Sequence, residues 1–177
     1  MPEKLRILLA EDHLTVREGI KLLVNAQDDM EVIGEAENGE IAVKEAVRLS
    51  PDMVIMDVSM PVLNGLKATK RLRAKCPEMM ILALTRHSDD GYLQQIISAG
   101  ANGYVLKQSA PKELINAIRA VGSGKAYLDP ALTQKVMGGY AVRNTSLRGE
   151  GKKELSSREV EVLKLISFGY SNKEIAS

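Results

Sequence analysis

Short, nearly unbroken apolar runs alternate with helix-patterned segments through the first two-thirds of this chain, and that alternation restricts what it can fold into. Leu5–Ala10, interrupted only by Arg6, reads as a buried strand, and residues 14–26 follow with helical spacing. Glu31–Ala36 is a weaker, more polar strand suited to a sheet edge. Glu40–Leu49 then reads as a helix ended by Ser50-Pro51, Met53–Met56 as a strand, and Asn64-Gly65 as the opening of a helix that runs to about Lys75. Met79–Leu84, Asp89–Ala99, Gly103–Leu106 and Pro111–Val121 continue the series as strand, helix, strand and helix. Continuous apolar strands linked by helices require a parallel sheet covered on both faces. The expected fold is α/β: a flavodoxin-like, doubly wound sheet of five parallel strands in the order 2-1-3-4-5.

In such a sheet, ligands gather outside the carboxyl ends of the strands. Here those ends carry Glu11-Asp12 after the first strand, Asp57 after the third, Thr85 after the fourth and Lys107 after the fifth. Any one of these residues has a bland reading: an aspartate that caps a loop, or a lysine that faces solvent. Together they are three carboxylates, a hydroxyl and an ammonium in one crevice. Carboxylates so close oppose one another's ionisation unless a cation neutralises them. Oxygen-only donors select a hard ion, and this number of carboxylates with water suits Mg²⁺. An aspartate can capture a phosphoryl group as an acyl phosphate when its repulsion from the anionic donor is removed. Lys107 and Thr85 are the right types to bind two oxygens of the captured group.

The motifs in this order carry a resemblance. LLAEDH at 8–13, MDVSMPVLNG at 56–65, ALT at 83–85 and GYVLK at 103–107 resemble the receiver domain of two-component response regulators. The resemblance implies that Asp57 accepts a phosphoryl group from a sensor histidine kinase. It implies that Glu11, Asp12, Asp57 and the backbone carbonyl of Ser59 hold Mg²⁺, and that Thr85 and Lys107 bind the phosphoryl group. Thr85 and Tyr104 would form the conformational switch, and Pro61 and Gly65 match the turn after the acceptor. His87 is a candidate to overhang the site and tune hydrolysis, against the plainer reading of an exposed loop residue. Such a domain is a self-phosphorylating and self-dephosphorylating acceptor and not a turnover enzyme.

Past Gly124 the pattern changes. Asp129-Pro130 starts a short helix to about Met137, and Asn144–Lys153 reads as a flexible linker. Ser156-Ser157-Arg158-Glu159 and Ser171-Asn172-Lys173-Glu174 are capping boxes that open two helices joined at Gly169. LSSREVEVLKLISFGYSNKEIA at 155–176 is similar to the opening of the LuxR-type helix-turn-helix of NarL/FixJ regulators. On that reading the recognition helix would follow Ser177, and sequence-specific DNA binding belongs to a full-length form. The expected division is a receiver at 1–124, a short helix and linker at 125–154, and an incomplete helix-turn-helix at 155–177.

Composition bounds the alternatives. Net charge is +1, which gives no bulk electrostatic case for nucleic acid. Cys76 is the only cysteine, so no intrachain disulfide is possible. No apolar run approaches a membrane span or a secretory leader, so a cytoplasmic protein is expected. A flavodoxin would carry a Ser/Thr/Gly-rich phosphate loop where this chain has Glu11-Asp12-His13. A dehalogenase-type phosphatase would carry a second aspartate where Ser59 stands. A stand-alone receiver, serving as a phosphoryl shuttle or a protein-docking switch without DNA binding, remains the alternative. The kinase, the signal and the promoter leave no readable trace, and a homodimer formed on phosphorylation is an expectation from the resemblance alone.

Overall fold

The computed structural model describes residues 4–86 and 90–133, the side chains of 90–92 excepted. The expected continuation of the 129–137 helix beyond 133, the linker at 144–153, the helix pair at 155–177 and His87 lie outside the described residues. The elements are β1 (Leu5–Ala10), α1 (Leu14–Asn25), β2 (Met30–Ala36), α2 (Gly39–Leu49), β3 (Met53–Asp57), α3 (Gly65–Lys75), β4 (Met80–Thr85), α4 (Asp90–Ser98), β5 (Gly103–Leu106), α5 (Pro111–Gly122) and β6 (Tyr127–Leu128).

The strands form one parallel sheet in the order β2-β1-β3-β4-β5-β6. The expected order of the first five is correct, and the expected count of five is corrected to six. β6 adds only Tyr127 and Leu128, paired with Gly103 and Tyr104. Two residues are too few to display a strand's period of two, so no pattern in the sequence marks them. β2 is an edge strand, as its polarity suggested.

The alternation of side chains along each strand sorts the core into two faces. Ile7, Leu9, Met53, Ile55, Leu82, Leu84 and Val105 face α1 and α5, where they meet Val24, Leu114, Ile118 and Val121. Leu8, Ala10, Val54, Met56 and Ile81 face α2 and α3, against Ala42, Ala46, Ala68 and Leu72. Farther along that second face, Ala83, Tyr104 and Leu106 pack with Leu93 and Ile96 of α4, with Leu128 of β6 and with Leu132 beyond it. Helix ends are fixed locally. Asn38 caps α2 by accepting from the N–H groups of Glu40 and Ile41, and Asn64 caps α3 by accepting from Lys67 N–H. Ser50 ends α2 in the left-handed region at φ 46°. Cys76 caps the carboxyl end of α3 as a free, half-buried thiol. Among the described residues, no helix is long and apolar enough to cross a membrane.

Candidate functional site

β1 and β3 lie side by side, but the chain leaves β1 for the edge strand on one side and continues from β3 toward β4 on the other. That reversal opens the crevice beyond their carboxyl ends. Glu11 follows β1 directly and is fully buried, its N–H donating to the Ala36 carbonyl at 2.9 Å. Asp57 is the last residue of β3 and is 1% exposed. Lys107 follows β5, its N–H donating to the Thr85 carbonyl at 2.8 Å. Strand parity points Glu11, Asp57 and Lys107 toward the α1/α5 side of the sheet end.

Their charged atoms converge. Lys107 Nζ lies 2.6 Å from Glu11 Oε2 and 2.7 Å from Asp57 Oδ2. Those two oxygens are buried, and neither receives a hydrogen bond of good angle. At those distances the lysine offsets part of their charge, and neither oxygen has its full complement of donors. The other Asp57 oxygen, Oδ1, accepts from Ser59 N–H at 3.0 Å. Burial pushes the Asp57 carboxyl above its ordinary range, and the neighbouring Glu11 charge adds to the shift against the pull of Lys107 and the Ser59 amide.

Asp12 is more open. Burial alone would raise its carboxyl, but the hydrogen bond and charge of His13 hold it below the ordinary range. His13 Nδ1 lies 2.8 Å from Asp12 Oδ1 and 3.2 Å from Glu11 Oε1, and its backbone N–H donates to the same Glu11 oxygen at 3.1 Å. Ionised carboxylates only accept, so these ring contacts require a proton on Nδ1. His13 was not expected in the site. The sequence signal was its place directly after the Glu11-Asp12 pair. One ligand atom each from Glu11, Asp12, His13 and Asp57 lies within 4.8 Å of all the others. Open lone pairs on buried carboxylates, in an all-oxygen set apart from His13, fit a hard divalent cation.

Thr85 and Tyr104 stand differently. Thr85 ends β4, one step beyond the Asp57–Leu84 register pair, and is 1% exposed. By parity it belongs to the α4 side of the sheet, with Tyr104. The Tyr104 ring is buried at 2% exposure in the cluster beneath α4. The expected residues thus fall into two groups: an ionic group of Glu11, Asp12, Asp57 and Lys107 at the strand ends, and, on the opposite face, Thr85 at the end of β4 and Tyr104 within β5.

The turn after Asp57 is built around Gly65. Its N–H donates to the Val58 carbonyl at 3.0 Å, and a Cβ there would overlap the Asp57 carbonyl oxygen and the Val58 Cα. The start of α3 therefore seats directly beneath the acidic loop, which only glycine permits.

Residues 7–119 match the family described as response regulator receiver domain, and residues 153–177 match the one described as bacterial regulatory proteins, luxR family. The chain is 40% identical to the oxygen regulatory protein NreC of Staphylococcus carnosus (strain TM300), over 97% of this chain and 81% of that protein. NreC of Staphylococcus aureus (strain MRSA252) is 39% identical over the same shares. Among solved structures, a two-component response regulator of the LuxR family from Aurantimonas sp. SI85-9A1 superposes with a TM-score of 0.75 at 32% identity, covering 78% of this chain and 99% of that one. The RcsB response regulator of Salmonella typhimurium gives a TM-score of 0.72 at 28% identity, over 98% of this chain and 82% of that one.

Proposed function

The chain belongs to the two-component response regulators that control transcription through a LuxR-type region, and from that premise we propose that Asp57 is the phospho-acceptor, charged by a sensor histidine kinase. The observation that carries the proposal is the environment of Asp57. It is a buried carboxylate with one oxygen held by the Ser59 amide and the other, Oδ2, buried 2.7 Å from Lys107 Nζ at the carboxyl end of β3. The Ser59 contact fixes the rotamer and leaves Oδ2 as the attacking atom. In the transfer, Oδ2 forms a bond to phosphorus as the bond from phosphorus to the kinase imidazole breaks. The electron pair returns to the imidazole nitrogen, which takes up a proton, and Asp57 becomes an acyl phosphate.

Glu11, Asp12, Asp57 and the Ser59 carbonyl would hold Mg²⁺, which supplies neutralisation of the oxygens on the transferred group. Lys107 has the charge and reach to leave Glu11 for a phosphoryl oxygen. Thr85 starts on the opposite face of the neighbouring strand end, so its hydroxyl must turn round the end of the sheet to reach a second oxygen, and Tyr104 behind it follows that movement. A new dianionic group with strong acceptor oxygens pulls on nearby donors, and a packed two-state element enlarges the pull.

Each chain takes one phosphoryl group and later yields it to water, so the domain is an acceptor and not a turnover enzyme. The receiver spans 1–124, the segment at 125–154 joins it to the LuxR-type region from 155 onward, and the protein works in the cytoplasm. Its partners are the histidine kinase, DNA through the full-length output region, and a second copy after phosphorylation.

The test is labelling with a small phosphoryl donor. Wild-type protein takes up label only with Mg²⁺, and Asp57→Asn takes up none. Metal-independent labelling, or label retained in the variant, would overturn the assignment.

A further inference from the structure

Asp129 lies outside the acidic crevice, yet it is 1% exposed and its carboxylate accepts three hydrogen bonds. Its two oxygens hold different parts of the chain. Oδ1 accepts from Ala131 N–H at 3.0 Å and so caps the helical residues 130–133. Oδ2 reaches back across the sheet edge, accepting from Leu106 N–H at 3.1 Å and Ser109 Oγ–H at 2.5 Å. The backbone N–H of Asp129 donates to the Tyr104 carbonyl at 2.9 Å. A residue that only capped a helix would need one oxygen and no burial. Burying a carboxylate is costly unless its lone pairs are satisfied, and here that satisfaction comes from both sides of Lys107.

Leu106 precedes Lys107, and Ser109 stands two residues after it. The Oδ2 contacts therefore bracket the lysine whose Nζ bridges Glu11 and Asp57. Leu128 and Leu132, on either side of Asp129, pack in the same cluster as Tyr104. We infer that Asp129 is a positioning residue: it fixes the Lys107 loop from behind and yokes it to residues 126–133, the start of the path to the LuxR-type region. The inference rests on the reading of Asp57 as phospho-acceptor. Movement of Lys107 toward a phosphoryl oxygen then strains the Oδ2 contacts, and the strain reaches the outgoing helix through the same carboxylate. Coupling of this kind is reciprocal, so disturbing Asp129 must also disturb the site.

The experiment uses the full chain as wild type, Asp129→Ala, Asp129→Asn and Ser109→Ala. Labelling by acetyl phosphate with Mg²⁺ is followed together with hydrogen exchange in peptides spanning 104–110 and 126–133. In the wild type, labelling changes exchange in both peptides. Asp129→Ala slows labelling by about tenfold, the scale expected when a catalytic group is displaced by a fraction of an ångström, and abolishes the response at 126–133. Ser109→Ala, which leaves the carboxylate in place, weakens both effects. Asp129→Asn, which keeps an acceptor oxygen, restores part of the rate. Asp129→Ala and Ser109→Ala that melt at lower temperature but label and respond like wild type would show a structural cap alone and overturn the inference. A wild type that takes up no label would instead overturn the assignment of Asp57.

Discussion

Lys107 Nζ lies 2.7 Å from Asp57 Oδ2, and the same nitrogen lies 2.6 Å from Glu11 Oε2. One cation thus faces two buried carboxylates, and the group carries a net negative charge in a place poor in solvent. Such an arrangement serves function at the expense of stability. Asp57→Asn keeps the shape and leaves a balanced Glu11–Lys107 pair. In the absence of divalent cation the variant should be more stable than wild type by about 1–2 kcal/mol. Urea denaturation with a chelator present checks this, and a variant less stable than wild type would contradict the charge reading.

The pH dependence of that gap follows from sign. Burial raises the folded-state pKa of Asp57 above the ordinary 3.8. The folded state therefore favours the protonated acid, and the resulting stabilisation is complete below the unfolded pKa and lost as pH rises through the folded one. The advantage of Asp57→Asn should be small at pH 3.5 and grow toward neutrality. Denaturation midpoints of both proteins across that range test it.

Glu35 provides the opposite sign. Hydrogen bonds from Lys21 Nζ at 2.5 Å and Arg17 Nε at 3.1 Å hold its carboxyl below the ordinary 4.5. Its stabilising contribution is present above the unfolded pKa and disappears as pH falls through the folded one. The carboxylate is 29% exposed and solvent screens it, so Glu35→Gln should cost about 1 kcal/mol at pH 7. The loss should shrink as pH falls below the ordinary 4.5 and through the lowered folded-state value. A cost independent of pH would mean that packing and not charge is at stake.

How far these features could be read from the sequence depended on how many residues carried each signal. β1, β3 and β4 run through the core, and several apolar side chains announced each. The site residues were legible because each stands at the end of such a run, where strand parity and chain direction leave little freedom. β6 and Asp129 were not legible: a two-residue strand has no period, and an Asp-Pro pair reads as an ordinary helix start. That one oxygen caps while the other reaches Leu106 and Ser109 is set by tertiary packing. His13 carries no signal beyond its place after the Glu11-Asp12 pair, because a lone histidine beside two acids has no spacing signature. The sequence could place Thr85 and Tyr104 near the site, but not on the opposite face from Lys107, because strand bounds uncertain by one residue invert that assignment.

Gly65 should tolerate no side chain. A Cβ there overlaps the Asp57 carbonyl oxygen and the Val58 Cα, both backbone atoms of the turn that carries the proposed acceptor. Gly65→Ala should destabilise the fold by about 1–3 kcal/mol, the usual range for overpacking, and should also slow labelling of Asp57 in the fraction that remains folded. Chemical denaturation and labelling at low temperature separate the two effects. An alanine variant with wild-type stability would show that the loop can yield.

Val62 is the counter-case, a residue whose replacement should help. It lies in the loop between Asp57 and α3 with φ 65°, and it is 78% exposed. A β-branched side chain is strained in the left-handed region, and its exposure means that little packing offsets the cost. Asparagine accepts that conformation more readily. Val62→Asn should therefore stabilise the protein by up to about 1 kcal/mol, below the usual left-handed penalty because the unfolded chain changes too. If the strain also holds the Asp57–Ser59 turn in its acceptor geometry, the more stable variant will take up label more slowly. Equal labelling rates with raised stability would show that the strain is local to the exposed end of the loop and has no part in positioning the acceptor.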